Sequence, residues 1–198
     1  MKKKTKWLIV VCAVVLLAAG WTWRYISLNM YWKSTIPAEY TETVFSLGET
    51  VTFGKDYFLP EGFALCANNL TIVDYQSYIE DNNITLESNP QRPPDRLAVI
   101  EITLSNVCDE EKSISLIQFP LYGIGALFSS SIELTAASNP VLGGNFGVTL
   151  RPGEAYDFVL VYEIRDEYLD YHTRNNFDSY ELYLLTTIYP SRQMIKVQ

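Results

Sequence analysis

The chain has 198 residues, and its 23 acidic and 15 basic residues give a formal net charge of −8. Only ten of the basic residues follow Arg24, whereas every Asp and Glu lies beyond position 38. Nucleic acid is therefore not expected as a partner, because phosphate binding requires clusters of Lys and Arg. An acidic surface instead keeps a domain soluble, or attracts a cation or a basic protein. The length suits one domain after an N-terminal segment.

A basic cluster followed by an apolar run opens the chain. The run extends from Trp7 to Trp23, and a helix over it is about 25 Å long, near the lower limit for crossing a bilayer. Lysines before such a run stay in the cytoplasm, and aromatic residues gather at membrane interfaces. Residues 1–28 are therefore predicted to be a signal-anchor, a single-pass transmembrane helix with its N-terminus in the cytoplasm. The residues predicted to contact the membrane interface are Trp7, Trp21, Trp23 and Arg24.

The same segment also fits a secretory signal peptide. Residues 8–17 make an acceptable apolar h-region, and Ala18-Ala19-Gly20 supplies the small residues of a cleavage site. Cleavage after Gly20 would release the rest of the chain as a secreted protein. Both interpretations place the following residues outside the cytoplasm, with 29–42 as a juxtamembrane stalk and 43–198 as an extracytoplasmic β-sandwich domain.

From residue 43 onward, short runs rich in Val, Ile, Thr, Tyr and Phe alternate with turn residues, as in an antiparallel β protein. Two short strands are predicted around a turn at Gly48, and an alternating strand is predicted over 70–79. Residues 80–96 are polar and contain three prolines, which predicts a long exposed loop. The best central strand covers 97–107, and its apolar face consists of Ala98, Ile100, Ile102 and Leu104.

The second half of the chain shows the same pattern of short β-rich runs separated by turn residues. A strand is predicted over 113–123, and the Gly-, Ser- and Ala-rich stretch that follows is expected to be irregular, with a short strand near 131–134. Pro152 and Gly153 predict a type II turn before a strand that ends at residue 164. A polar connection with room for one helical turn follows, and strands over 180–190 and 192–197 end the chain. Seven to nine short strands predict an all-β, two-sheet antiparallel sandwich.

Three short motifs resemble a known family. They are a glycine turn at Gly48, the strand LAVIEITLSN ending in Asn106, and the turn Leu150-x-Pro152-Gly153-Glu154 before the strand FVLVYEI. Together they resemble the immunoglobulin-like extracytoplasmic domains of unknown function from Gram-positive bacteria, over roughly residues 43 to 190. The resemblance implies an immunoglobulin-like sandwich behind a lipoprotein signal or a single anchor. This chain lacks a convincing lipobox, and the resemblance supplies no catalytic residue.

Residues with chemical potential are few. The single histidine, His172, lies in a polar stretch, and neither a catalytic residue nor a cofactor is predicted. Cys66 and Cys108 could form a disulfide in an oxidising compartment or remain free thiols, and their spacing leaves both open. An acidic cluster offers oxygen ligands for Ca²⁺, but its spacing matches no EF-hand. A charged, solvated loop is the favoured interpretation, and no metal site is predicted. The cluster includes Asp166, Glu167, Asp170 and Asp178.

Tyr183 and Tyr189 share one face of a predicted strand with Leu185. An exposed face of this kind would bind a protein or a glycan, whereas a covered one would pack against a loop or the second sheet. The sequence thus predicts a non-catalytic binding module, tethered to the membrane, with an envelope protein or glycan as its partner. The alternatives are a hydrolase with a carboxylate pair and a structural accessory subunit of an envelope complex.

The two interpretations of the N-terminal segment predict different masses for the mature protein. If the segment is an anchor, intact-mass spectrometry of the native protein should find the full-length chain in the membrane fraction, because nothing is removed. A mass that begins at Trp21, found in the culture medium, would show cleavage after Gly20 and contradict the anchor.

Overall fold

The structure, a computed structural model, describes residues 3–35, 41–54, 59–86, 92–143, 146–188 and 191–198. The chain divides into two compact units, Met1–Tyr40 and Thr41–Gln198. The first unit contains the helix α1 (Lys3–Thr35), which continues into the predicted stalk. Among the residues that the structure describes, no helix combines the length and the apolar character needed to cross a membrane. The transmembrane segment at 1–28 therefore stays a prediction.

The second unit is built mainly from short strands. One sheet has five strands, one has four, and a further pair of strands stands apart. In chain order the helices and strands are β1 (Thr41–Ser46), β2 (Thr50–Thr52), β3 (Phe63–Asp74), α2 (Tyr75–Asp81), β4 (Arg96–Asn106), β5 (Lys112–Ser115), β6 (Leu121–Gly123), β7 (Ala126–Phe128), α3 (Ile132–Ser138), β8 (Gly147–Leu150), β9 (Ala155–Ile164), α4 (Tyr171–Asn175), β10 (Leu182–Thr187) and β11 (Ser191–Lys196).

The two larger sheets pack face to face as a β-sandwich. The five-stranded sheet has the order β1-β11-β10-β6-β7, and the four-stranded sheet has the order β2-β3-β4-β9. The pair β1–β11 is parallel, and the other described pairs are antiparallel. Side chains from both sheets, such as Ile102 of β4 and Leu184 of β10, belong to one buried apolar cluster. The predicted β-sandwich is therefore confirmed, whereas the parallel pair β1–β11 and the third, two-stranded sheet β5–β8 depart from the predicted two-sheet antiparallel plan.

The central strand β4 confirms the alternation that the sequence predicts. Its four inward residues are fully buried, and each contributes about 1.5–3 kcal/mol of hydrophobic stabilisation where the side chain is large. They pack with the inward residues of β9. The eight residues are Ala98, Ile100, Ile102, Leu104, Phe158, Leu160, Tyr162 and Ile164.

A second apolar cluster covers part of the outer face of the four-stranded sheet. Leu97 of β4 and Val161 of β9 point outward, and they are buried by Tyr75 of α2 and Leu134 of α3. The strand predicted over 70–79 is therefore wrong in its second half, where the chain forms α2. The reason is local: the Asp74 carboxylate accepts a hydrogen bond from the backbone N–H of Ser77 at 2.9 Å and caps a helix.

Helix α3 replaces the strand predicted near 131–134, and it covers the edge strand β9. The Asn139 side chain bonds both backbone groups of Val159, accepting from N at 2.8 Å and donating to O at 2.7 Å. The Thr135 hydroxyl accepts from the backbone N–H of Val161 at 3.2 Å. Backbone groups at a sheet edge need partners, and the polar residues of α3 supply them here.

Two further predictions are only partly right. The stretch 113–123 forms two strands, because β5 pairs with β8 while β6 joins the five-stranded sheet. Strand β3 begins at Phe63, seven residues before the predicted start. Its first half was not predicted because it contains Ala and Asn, which are depleted in strands. The turn at Pro152-Gly153 is confirmed, with a φ of 75° at Gly153.

Asn106, at the end of β4, connects this turn to the rest of the sandwich. Its buried side chain donates to the carbonyl oxygens of Glu110 at 2.7 Å and Leu150 at 2.8 Å, and accepts from the N–H of Cys108 at 2.9 Å. Its backbone N–H donates to Glu154 O at 2.9 Å, and its carbonyl accepts from Gly153 N at 3.0 Å. The two longer motifs that carry the resemblance therefore meet at this residue.

Replacing Asn106 with Asp is expected to lower the free energy of unfolding by about 3 kcal/mol, because two buried carbonyls lose their donor and a carboxylate is left in their place. The measurement is urea denaturation followed by far-UV circular dichroism. The control is Asn69→Asp, the same change at an exposed position of β3, with an expected effect below about 0.5 kcal/mol. Equal effects of the two variants would contradict the role of Asn106.

Candidate functional site

The outer face of the five-stranded sheet carries an aromatic and charged surface, which we call the tyrosine face. Alternation along the strands defines it: Leu184 and Ile195 point into the core, so their neighbours Tyr183 and Lys196 point outward. The tyrosine face consists of Glu42 and Val44 on β1, Arg192 and Lys196 on β11, Tyr183 on β10 with the adjacent Glu181, Tyr122 on β6 and Leu127 on β7.

Two tyrosines form the centre of this face. Tyr122 and Tyr183 are direct cross-strand partners, and their ring centroids lie 6.5 Å apart with the planes tilted by 36°. The Arg192 guanidinium lies 4.5 Å from the centroid of the Tyr122 ring, in a cation–π contact. Because β10 lies between β11 and β6, the Arg192 side chain must cross β10 to reach that ring.

Charged pairs flank the tyrosines. Arg192 lies 3.4 Å from a carboxylate oxygen of Glu42, and Lys196 pairs with Glu181, which also accepts a hydrogen bond from the Tyr183 hydroxyl. The Lys196 hydrogen bond, followed by that of Tyr183, lowers the pKa of Glu181. The bond to Glu181 raises the pKa of Tyr183. The tyrosine rings are therefore held between two ion pairs.

Apolar residues complete the face, and two of them are exposed. Val44 on one edge strand is 50% exposed and Leu127 on the other is 62% exposed. Leu185 and Met194, which lie between these edges, are buried. Tyr183, one of the two predicted binding residues, is half-buried beside Tyr122. Sequence analysis missed Tyr122 because it lies on a strand that is distant along the chain. The other, Tyr189, lies outside the described residues.

The four acidic residues considered as candidate cation ligands have separate structural roles. Asp166 bonds the Arg96 guanidinium at 2.6 Å, and Glu167 lies 3.7 Å from Arg92. Asp170 caps α4, and hydrogen bonds from Thr173 lower its pKa. Asp178 lies in a separate 3₁₀ turn. Across the described parts of the chain, no three Asp, Glu, His or Cys side chains gather as a metal-ligand set.

A charged cleft of about 280 Å³ lies beside Asp166. Its carboxylates are already engaged: Asp166 bonds Arg96, and Asp95 accepts from the backbone N–H of Asp166 at 2.8 Å. The arginines are engaged too, since Arg165 donates to Glu163 and to the carbonyl of Arg92, both at 2.8 Å. Sequence reasoning missed this network because its members come from distant segments. The lining residues are Arg92, Pro93, Asp95, Arg165, Asp166, Glu167 and Arg174.

Cys66 and Cys108 are free thiols in the structure. The backbone N–H of Val107 bonds Gly62 O at 2.9 Å, which places the following Cys108 near Gly62, four residues along β3 from Cys66. Four strand residues span about 13 Å, and disulfide-bonded Cα atoms are less than about 7 Å apart. The register of β3 and β4 therefore keeps the two thiols apart.

The residues predicted to contact a membrane interface lie on α1. Trp7, Trp21 and Trp23 are each about three-quarters exposed, at 74%, 76% and 76%, and Arg24 is exposed as well. His172 lies in α4, where its backbone N–H donates to Asp170 at 2.9 Å. That bond is part of a helix cap, and Nδ1 of the imidazole lies 3.4 Å from the side-chain nitrogen of Asn176.

The fold and the tyrosine face define a mainly β sandwich domain with an aromatic outer surface. Residues 42–193 match the family described as Domain of unknown function (DUF5028), and the chain belongs to this family. The family's description assigns no activity. No curated protein is similar enough in sequence to count as a relative.

Solved structures similar to this chain come from Gram-positive bacteria. The YjhA protein of Bacillus subtilis is 19% identical, with a TM-score of 0.43, over 71% of this chain and 81% of that one. An uncharacterized β-sandwich protein of Clostridium difficile is 11% identical, with a TM-score of 0.41, over 82% and 99%. A conserved hypothetical protein of Bacillus anthracis is 20% identical, with a TM-score of 0.42, over 75% and 96%.

Removing the Glu181 side chain should lower the pKa of Tyr183 toward its ordinary value near 10, because the bond to the carboxylate holds it higher. Since the folded-state pKa is raised, the stabilisation from this bond is present below pH 10 and is lost as the pH rises through the raised value. The measurement is a ring ¹³C NMR titration of Glu181→Ala. Glu101→Ala, at an exposed glutamate of the other sheet, should leave the titration unchanged. An unchanged curve in Glu181→Ala would contradict the hydrogen bond.

Proposed function

We propose that this protein is a non-catalytic interaction module, held at the outer side of the cell membrane, that binds a protein partner through the tyrosine face. The observation that carries the proposal is the group of Tyr122, Tyr183 and Arg192 on an outer sheet surface. Tyrosine and arginine are enriched in the energetic centres of protein interfaces. They are flanked here by exposed Val44 and Leu127 and by charged pairs, as in an apolar core with a polar rim.

The geometry favours a protein over a glycan as the partner. A sugar ring stacks on a flat, free aromatic face, but Arg192 already lies over one face of Tyr122. The rings of Tyr122 and Tyr183 are also tilted by 36° and so do not form one plane. A protein surface, which can shape itself to tilted rings and to paired charges, fits this arrangement better.

We also propose that the sandwich is immunoglobulin-like, and the strand order supports this. Such domains pair strands A, B, E and D in one sheet and C, F and G in the other. Here β3-β4-β9 would take the places of A, B and E, and β6, β10 and β11 those of C, F and G. An isolated bridge between Ser130 and Tyr162 of β9 stands where D would pair with E. Strands β1, β2, β5, β7 and β8 would be additions to that plan.

The membrane tether is proposed on the character of α1. Four consecutive apolar residues, Val14 to Leu17, are each at least 60% exposed, and together they go around the helix. A helix that is apolar on all sides needs an apolar environment, and the lysines before it favour a cytoplasmic N-terminus. Release after cleavage at Gly20 is the alternative, and it would leave the tyrosine face unchanged.

The two other hypotheses have less support. A hydrolase needs a carboxylate pair available for proton transfer and nucleophilic attack, and the charged cleft instead has Asp95 and Asp166 engaged with a backbone N–H and an arginine. A structural accessory subunit would use the tyrosine face in the same way as a binding module, with a partner that never dissociates. A subunit-exchange measurement distinguishes the two hypotheses, because the partner of a binding module dissociates and that of a structural subunit does not.

Site-specific photo-crosslinking tests the binding surface. A photo-reactive amino acid in place of Leu127 of the full chain, expressed in its own cells, should give one discrete adduct, because this exposed residue lies on the tyrosine face. The control places the same group at Val141, which is 72% exposed and lies outside that face. Peptide mass spectrometry then identifies the cross-linked protein. No adduct, or the same adducts from both positions, would contradict the proposal.

A further inference from the structure

We infer that the partner at the tyrosine face is a second copy of this chain, so that the domain forms a symmetric dimer. The inference rests on the proposed function and names its partner. Its basis is the charge of this face relative to the rest of the chain, together with the placement of the exposed apolar residues at the two edges of the sheet.

The tyrosine face is balanced in charge, whereas the chain is not. After Arg24 the chain has 23 acidic residues against ten basic ones, so two copies repel at most orientations within the screening distance of about 8–10 Å. The tyrosine face has two cations, Arg192 and Lys196, and two carboxylates, Glu42 and Glu181, arranged as pairs. Two copies can therefore meet there without net repulsion.

A basic partner would be drawn elsewhere. Electrostatic steering brings a positively charged protein to the most negative surface of its target, and a face whose charges cancel gives it no advantage. A second copy is itself acidic, so the electrostatic repulsion between the two chains is lowest where they approach through the balanced face. The balanced charge of this face thus favours self-association over a basic partner.

The strand order makes the face self-complementary. Strand β10 is the middle strand of five, with β1 and β7 at the edges. A two-fold axis parallel to the strands and above β10 would set β1 of one copy over β7 of the other. Val44 of one copy would then lie over the edge strand that carries Leu127 of the other, displaced from it by two residues along the strands, and β11 with Arg192 would lie over β6 with Tyr122. Each contact occurs twice, as an isologous interface requires.

Tethering would assist such a dimer. Chains that share one membrane have a high effective concentration, so a weak face-to-face contact suffices. The same contact in the released, secreted form would need higher affinity. Dimerisation through this face therefore fits the anchored form of the chain better than the secreted one.

The test is the mass of the full-length chain in detergent, at an excess of micelles over protein, by analytical ultracentrifugation over a range of concentrations. Wild type and Val141→Arg should pass from monomer to dimer, and Leu127→Arg should weaken dimerisation at least tenfold. Both variants put a cation at an exposed apolar position, so general effects of charge are matched.

Two outcomes overturn the inference. One is a wild-type chain that stays monomeric at all concentrations, and the other is a dimer that Leu127→Arg leaves unchanged, which would place the contact elsewhere. The photo-crosslinking experiment separates this failure from that of the proposed function. An adduct between position 127 and a different protein would retain the binding module and exclude the second copy, whereas no adduct from 127 would remove both.

Discussion

The hydrogen bonds of Asn106 set the arrangement on which the rest of the sandwich depends. Its side chain bonds the carbonyls of Glu110 and Leu150, and its backbone bonds the turn at Gly153 and Glu154. These bonds fix where β9 begins beside β4. A shift of one residue would turn every side chain of β9 to the opposite face, exposing Tyr162 and Leu160. Both faces of the four-stranded sheet thus depend on one buried amide.

Elements specified by nearby residues could be predicted from the sequence. The alternation in β4 and β9 and the turn at Gly153 are of this kind, because period-two burial and a positive φ are local requirements. Helices α2 and α3 could not be predicted in the same way, since short helices gain most of their stability from packing. Theirs comes from Leu97 and Val161, which belong to other segments. The one local signal was the capping Asp74.

The residues of the candidate site also differ in whether local sequence could predict their positions. Alternation alone placed Tyr183 on one face of its strand and left open whether that face is exposed, and Tyr122 and Arg192 join it only through the sheet order β11-β10-β6, which no local pattern encodes. The acidic residues illustrate the converse. Asp166 is close in sequence to other carboxylates, which suggests a cation site, yet its partner Arg96 comes from a strand 70 residues away. Proximity along the chain was a poor guide to chemistry.

The two sheets treat their outer faces differently, and this asymmetry supports a binding role for one of them. The four-stranded sheet has α2 and α3 over the apolar part of its outer face. The outer face of the five-stranded sheet instead carries the tyrosine face. Leu185 and Met194 are nonetheless buried there, beside an Arg192 side chain that crosses β10. This face therefore has buried apolar residues below and half-exposed tyrosines and ion pairs at its surface. Such a surface is typical of a protein interface, where a partner completes the packing.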